Sequence, residues 1–245
     1  MGGLSRLLLE DPDLAERLRG ERLSAAARDC VARTVELPTG LWSPAADVGD
    51  MRAGIGLLIL DGVIVRRVWL AGRFGAELLG DGDLVRPSQR DDIDATLPRT
   101  GGWRVLRRSR MAVLDADFTA RAGRYPEVIS ALFARAFRRS RHTAVNMAII
   151  HHPRVDVRLH MLLWELADRW GTVHPDGVHV PLHLTHETLG ELVAARRPTV
   201  SKALRELAER GIATWDGDHW LLLGDPPAGL RANDAFRAAP ERRGA

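Results

Sequence analysis

Six residues between Arg196 and Arg205 carry groups suited to a polyanion. Arg196, Arg197, Lys202 and Arg205 are four cations with no acid among them, and Thr199 and Ser201 add hydroxyls. Guanidinium and ammonium groups can donate to guanine O6 and N7 in a major groove, while hydroxyls reach phosphates. That chemistry needs the groups on one face. Val200, Leu204 and Leu207 recur at helical spacing and predict a buried stripe. At about 100° per residue, Pro198, Ser201, Lys202 and Arg205 fall opposite it. Pro198 fits the first turn of such a helix, where a missing N–H costs nothing.

The preceding residues supply a partner helix. Thr185 is a natural N-cap for a helix over Glu187 to Ala194, with Leu189, Leu192 and Val193 as its apolar face. Gly190 and Ala194 are small enough for a second helix to cross closely, and Ala195-Arg196-Arg197 forms the turn. Downstream, Ile212–Trp215 and His219–Leu222 flank Asp216-Gly217-Asp218, a hairpin pattern. An amphipathic helical hairpin with a solvated basic face would share the stripe. Turn, stripe, charge and the following hairpin together favour a winged helix-turn-helix.

Leu184 to Ile212 resembles the DNA-binding half of the cAMP-receptor-protein/fumarate-nitrate-regulator (Crp–Fnr) superfamily of bacterial transcription regulators. The motifs that carry the resemblance are Thr185-x-Glu187-x-Leu189-Gly190-x-Leu192-Val193 and Arg197-x-Thr199-Val200-Ser201-Lys202-x-Leu204. It implies base contacts at Arg197 and Lys202, and phosphate contacts at Thr185, Arg196 and Thr199. Many members carry a cytosine-reading Glu where this chain has Pro198, so its operator is expected to differ from the family's best-known half-site.

The 245 residues suffice for two modest domains, and 45% hydrophobic with 27% charged residues is ordinary for a soluble protein. The net charge is only +3, so DNA binding would depend on local patches. Lys202 is the only lysine; the remaining cations are Arg. No apolar run is long enough to span a bilayer, and the expected location is the cytoplasm without membrane contact. A lone cysteine, Cys30, excludes an intrachain disulfide and a four-Cys cluster. It reads as a buried apolar residue, with a thiol sensor as the alternative.

Upstream, Ser5–Leu18 reads as a helical lead-in and Leu23–Val31 as a further helix capped by Ser24. From Val35 to Asp115 short apolar runs alternate with Gly and Pro breaks. Asp61-Gly62, between Gly56–Leu60 and Val63–Leu70, reads as a hairpin turn, and Gly80–Asp83 as another. Trp103–Leu106 and Arg110–Leu114 read as later strands. The pattern predicts an all-β sandwich or barrel, and its place ahead of a long helix and winged helix resembles the family's jelly-roll sensor, the cyclic-nucleotide-binding-type β-roll. Cyclic-nucleotide-binding members carry Gly-Glu and then Arg-Ser or Arg-Thr; in the corresponding residues, 82–94, the Gly-Glu pair is absent at the expected place. Arg86 and Arg90 are the candidate phosphate ligands there, opposed by Asp91, Asp92 and Asp94. The cassette reads as degenerate, without tight cAMP binding.

From Phe118 the period is helical. Ile129, Phe133, Ala136, Ser140, Thr143, Met147 and Ile150 step by four and three, a heptad seam that predicts a dimer helix. A long core helix would show the same stripe. The resemblance favours the homodimer and puts Thr143 where a family threonine reaches the ligand. Arg135, Arg138, Arg139 and Arg141 beside the seam read as a solvated face, with an anionic effector as the alternative. His151-His152-Pro153 ends the helix. Val155–Trp170 follows with Leu159, Leu162, Leu163, Leu166 and Ala167 inward, then a strand over Val178–Leu182.

The expected architecture is therefore α+β: a β-roll over 1–117, a dimerisation helix over 118–152, and a winged-helix DNA-binding domain over 153–245. The implied partners are double-stranded DNA, a second copy of the chain, and RNA polymerase. Neither His151-His152 nor His183-x-x-His186 has convincing metal-ligand spacing, so no metal and no cofactor are expected. Asp115 and Asp117 read as turn or cap residues, and no nucleophile or nucleotide-loop motif suggests an enzyme. The expected function is a sequence-specific, cAMP-independent regulator. A regulator gated by redox state, a gas or another small molecule is the alternative.

Overall fold

A computed structural model describes residues 3–48, 51, 53–70, 73–87 and 100–227. The chain divides into two compact units, residues 1–144 and 145–245.

The first unit opens with β1 (Leu4–Arg6), α1 (Leu7–Glu10) and a 3-10 turn (Pro12–Ala15), not the single helix expected over Ser5–Leu18. Pro12 has no N–H to donate and holds Asp11 at φ −127°, ψ 85°, which breaks the helix there. The leucines still do what their spacing suggests: Leu7, Leu8, Leu14 and Leu18 are all buried in one cluster with Phe118, Val128 and Leu132. α2 runs Gly20–Asp29, earlier than expected. Ser24 does not cap it; its hydroxyl donates back to Gly20 O at 3.4 Å.

β2 (Val31–Leu37), β3 (Gly40–Trp42), a short α3 (Pro44–Val48), β4 (Gly56–Leu70), β5 (Arg73–Gly80), β6 (Leu84–Val85) and β7 (Thr100–Leu114) build one antiparallel sheet. Its order is β1-β2-β7-β4-β5, with β3 on β7 and β6 on β4. The turn at Gly80–Asp83 is present: Asp83 N donates to Gly80 O at 2.9 Å.

Asp61-Gly62 is not a hairpin turn. β4 runs straight through it for 15 residues, and register shifts from Ile59 to Ile64 mark a β-bulge against β7. Gly62 sits at φ +125°, and a Cβ there would lie 2.0 Å from Ser109 Oγ. Each half of β4 has its own second partner, β6 at Leu57–Leu58 and β5 at Val63–Leu70. Folding back on itself would forfeit both. The two strands expected over Trp103–Leu106 and Arg110–Leu114 are likewise one, β7, because β7 follows β4 along its length.

α4 (Ala116–Ala122) starts at Asp115, whose carboxylate accepts from Phe118 N at 2.9 Å, the cap its position suggested. α5 (Pro126–His151) is the long helix.

In the second unit α6 spans Val155–Trp170 with Leu159, Leu162, Leu163 and Leu166 buried, as its periodicity requires. β8 (Thr172–His174), β9 (Gly177–Val180), α7 (His186–Leu192), α8 (Arg197–Glu209), β10 (Ala213–Trp215) and β11 (Trp220–Leu222) follow. The four strands order as β10-β11-β9-β8. β9 stops at Val180 rather than Leu182, since Pro181 cannot donate to a ladder. No helix among the described residues is long and apolar enough to cross a membrane.

Candidate nucleic-acid interface

Thr185 caps α7: its side chain accepts from Thr188 N at 3.1 Å, and the two threonine hydroxyls lie 3.0 Å apart. Leu189, Leu192 and Val193 are buried. α7 ends at Leu192, short of Ala194. Ala194 takes φ +51°, the left-handed conformation that turns the chain toward α8. The close crossing inferred from small residues rests on Gly190, where a Cβ would stand 2.6 Å from Ala195 O.

α8 begins at Arg197, with Pro198 in its first turn and Val200, Ala203, Leu204 and Leu207 buried. Arg196, Arg197, Pro198, Thr199, Lys202 and Arg205 are exposed, and Ser201 is half-buried. The basic face therefore stands clear of the packed stripe. Lys202 Nζ lies 3.8 Å from Glu206 Oε1, but both side chains are exposed. An exposed i,i+4 pair contributes little, so the ammonium is available to a phosphate or base. Thr185 has its hydroxyl engaged by Thr188, which leaves less of it for a phosphate than its position suggested. Ser201 is more committed: its hydroxyl donates to Arg197 O at 3.1 Å and lies 2.8 Å from His186 Nδ1.

Two residues outside the expected DNA-contact set hold this geometry. Arg158 on α6 donates from Nη1 to Val193 O at 3.0 Å, taking up a carbonyl at the end of α7, and from Nε to His152 O. His186, the first residue of α7, touches α8 through Ser201. Neither pairing has a local signal, since the partners lie 35 and 15 positions apart.

The wing forms as the Asp216-Gly217-Asp218 pattern predicts: Ala213–Trp215 pairs with Trp220–Leu222. Asp216 Oδ1 accepts from both Asp218 N and His219 N at 3.0 Å, which together with His219 lowers its pKa. His174, His179 and His219 stack at centroid distances of 4.1 and 3.9 Å across the sheet. His183 meets the Trp215 ring edge-on, so His183 and His186 face separate partners. Among the described residues no group of three or more His, Cys, Asp or Glu side chains is arranged to hold a metal. At the start of α6, the Arg154 guanidinium beside Asp156 holds its carboxyl below the usual range.

On α5, the expected seam divides. Ile129 and Ala136 pack on the core of the first unit. Phe133, Ser140, Thr143 and Met147 are exposed and Ile150 is half-buried. Phe137, outside that seam, is 64% exposed, against 56% for Phe133 and Met147. The outward stripe is therefore Phe133, Phe137, Ser140, Ala144 and Met147, again in steps of four and three. The arginines beside it are not all solvated. Arg135 pairs with Asp11 at 2.8 Å, and Arg139 holds Glu77 in two bonds of 2.7 and 2.8 Å. Thr143 Oγ1 donates to Arg139 O at 3.1 Å.

In the cassette region, Asp83 is buried and accepts from Gly80 N at 2.8 Å, and Arg86 donates to Met51 O at 3.0 Å. Arg90, Asp91, Asp92 and Asp94 lie outside the described residues. Cys30 is fully buried, and burial pushes its thiol up to about 11, far from the thiolate a redox sensor needs.

Residues 157–231 match the Crp-like helix-turn-helix domain family. The CRP-like cAMP-activated global transcriptional regulator of Mycobacterium tuberculosis is 32% identical over 136 residues, which cover 55% of this chain and 61% of that protein. The nitrogen fixation regulation protein FixK of Azorhizobium caulinodans is 26% identical over 235 residues, 88% of each chain. Among solved structures, a CooA variant from Carboxydothermus hydrogenoformans superposes with a TM-score of 0.62 at 15% identity, covering 90% of this chain and 92% of that one. FixK2 from Bradyrhizobium japonicum gives 0.58 at 18% identity, covering 80% and 93%. These two likenesses bear on the fold, an α+β arrangement of an antiparallel N-terminal β-domain, long helices and a C-terminal helix-turn-helix.

Proposed function

Starting from a chain that belongs to the Crp–Fnr superfamily of transcription regulators, we propose that it binds double-stranded DNA sequence-specifically as a homodimer. The observation that carries this reading is the exposed face of α8. Lys202 and Arg205 stand there opposite the buried Val200–Leu204–Leu207 stripe, with Arg197 exposed at the helix start beside Arg196 and Thr199. Arg197 and Lys202 read bases; Thr185, Arg196 and Thr199 hold phosphates. A twofold dimer implies a pseudo-palindromic operator with half-sites about one helical turn apart. Residues 1–117 act as the sensor-like domain, 118–152 as the dimer helix and 153–245 as the DNA-binding domain. RNA polymerase is a further partner if the regulator activates.

The chain acts without cAMP in this reading. The Gly-Glu pair is missing from residues 82–94, the Asp83 carboxylate is turned onto Gly80 N, and Arg86 is held by the Met51 carbonyl. The Mycobacterium relative is named as cAMP-activated, so an effector-gated regulator is the competing reading. The decisive experiment measures affinity of the purified protein for its own upstream region and for scrambled DNA, at two salt concentrations, with and without cAMP. Selective binding that ignores cAMP supports the reading, whereas binding only with cAMP refutes its effector part. Lys202→Ala should cost about 1–3 kcal/mol and relax selectivity at one position. An equal loss on every sequence would make Lys202 a phosphate contact instead.

A further inference from the structure

We propose that the second unit carries a small-molecule site of its own: a cavity between α6, the end of α8 and the chain after β11 that takes a monocarboxylate with an aryl or branched aliphatic body. The cavity measures about 500 Å³, within the range of ligand pockets. All of its walls lie in the second unit, and none of the residues assigned to DNA lines it. Leu207, Ile212, Leu223 and Pro226 give it an apolar side, and Arg154, Asp156, His160 and Arg210 a polar one.

The polar side is short of acceptors. The Asp156 carboxylate is already held by Arg154, from Nε at 3.1 Å and from Nη2 at 2.6 Å. Arg210, just past α8, keeps one side-chain contact among the described residues, 3.6 Å from Nη1 to Asp156 Oδ2, too long for a hydrogen bond. His160 is a second donor. An indole N–H can only donate, and Trp164 Nε1 donates to His160 Nε2 at 3.0 Å, so the ring is neutral and carries its proton on Nδ1. Burial, and then Arg210, hold the pKa of this ring down, in keeping with the neutral form. A guanidinium and an imidazole N–H on one wall, both lacking an acceptor, suit a carboxylate. The carbonyls at the end of α8 do not oppose it, because the N–H groups of Arg210, Gly211 and Ile212 take up Glu206 O, Ala208 O and Leu207 O. Arg154 and Asp156 cancel, and Asp225 on the same wall is already engaged. The charge left to balance is that of Arg210, which one negative charge satisfies; a dianion would meet the Asp156 carboxylate.

The test titrates full-length protein with phenylacetate, indole-3-acetate and 3-methylbutanoate, with phenylacetamide as the uncharged control. The readouts are Tm and the indole N–H resonance of Trp164, assigned through Trp164→Phe. At least one acid should bind with a Kd on the order of 1 mM, the scale for about ten heavy atoms, and shift that resonance. At ten times its Kd it should raise Tm by about 3–6 °C. Phenylacetamide should bind at least about tenfold more weakly than phenylacetate. Arg210→Gln, at an exposed side chain, should weaken the acid by about the same factor in a folded protein. Leu223→Asp, which sets a like charge against the ligand at another exposed position, should abolish binding. An acid that binds either variant as it binds wild type overturns the inference. So does an amide that binds equally well, or binding that leaves the Trp164 resonance unmoved. Failure of all three acids to saturate the wild type by about 20 mM overturns it as well. None of these outcomes depends on whether the chain binds DNA.

Discussion

Phe137→Ala should dissociate the proposed dimer without unfolding the protomer. Phe137 is 64% exposed on α5 and contributes nothing to the buried core. With about 200 Å² of surface for a phenyl side chain, roughly 130 Å² faces outward. Covering all of it would be worth about 3 kcal/mol per copy, and about 6 kcal/mol for the two copies in a twofold contact. Truncation keeps the Cβ and an interface covers each ring incompletely, so half of that, about 3 kcal/mol, is the expected loss. The dimer dissociation constant should then rise about a hundredfold. Sedimentation equilibrium over a dilution series measures it, with far-UV circular dichroism as the check on folding. Ile129→Ala is the counterpart: Ile129 packs on the core, so it should lower Tm more than it weakens the dimer. A Phe137→Ala protein that dimerises like wild type refutes the assignment of this stripe. An Ile129→Ala protein that is purely monomeric and fully stable would restore the seam in its other phase.

Three further outcomes follow from local geometry. Ala194→Gly should raise stability by about 0.5–1 kcal/mol, because the left-handed backbone at φ +51° disfavours a Cβ; an unchanged or lower Tm would refute the strain. Cys30, buried with its thiol pushed to about 11, should resist a disulfide reagent at pH 8 until denaturant is added, and rapid labelling of native protein would reopen a redox role. Asp156 is held below its ordinary 3.8 by Arg154, so it stabilises the fold above that value, and the contribution fades as pH falls through the lower folded value. The Tm difference between wild type and Asp156→Asn should therefore be full at neutral pH and close in acid; a constant gap would mean that charge is not what Asp156 contributes.

The helix-turn-helix was legible because its information is local. A cap at Thr185, a proline one residue into α8 and a stripe at Val200, Leu204 and Leu207 each sit within one turn of what they act on. The β-domain was less so. Asp61-Gly62 has the composition of a turn, and whether such a pair turns or bulges depends on which distant strands compete for its flanks; β5, β6 and β7 won. The helical period of α5 was visible, but not its phase. Stepping by four and three fits Phe133–Ala136–Ser140 as well as Phe133–Phe137–Ser140, and only packing of Ala136 on the first unit's core separates them. The links that tie Arg158 to Val193 and His186 to Ser201 are tertiary and left no trace in spacing.

Arg135 and Arg139 stand one helical turn apart and are each gripped by an acid of the first unit, Asp11 and Glu77. Together they key α5 like a shaft in its socket: the helix cannot roll about its own axis without breaking both pairs. A roll of one residue's worth, about 100°, would carry Phe137 off the outward stripe altogether. The angular setting of that stripe is thus decided inside each protomer, before any second copy arrives. Changing either acid should therefore alter the angle at which two copies meet in the proposed dimer, although neither acid lies on the stripe where they would touch.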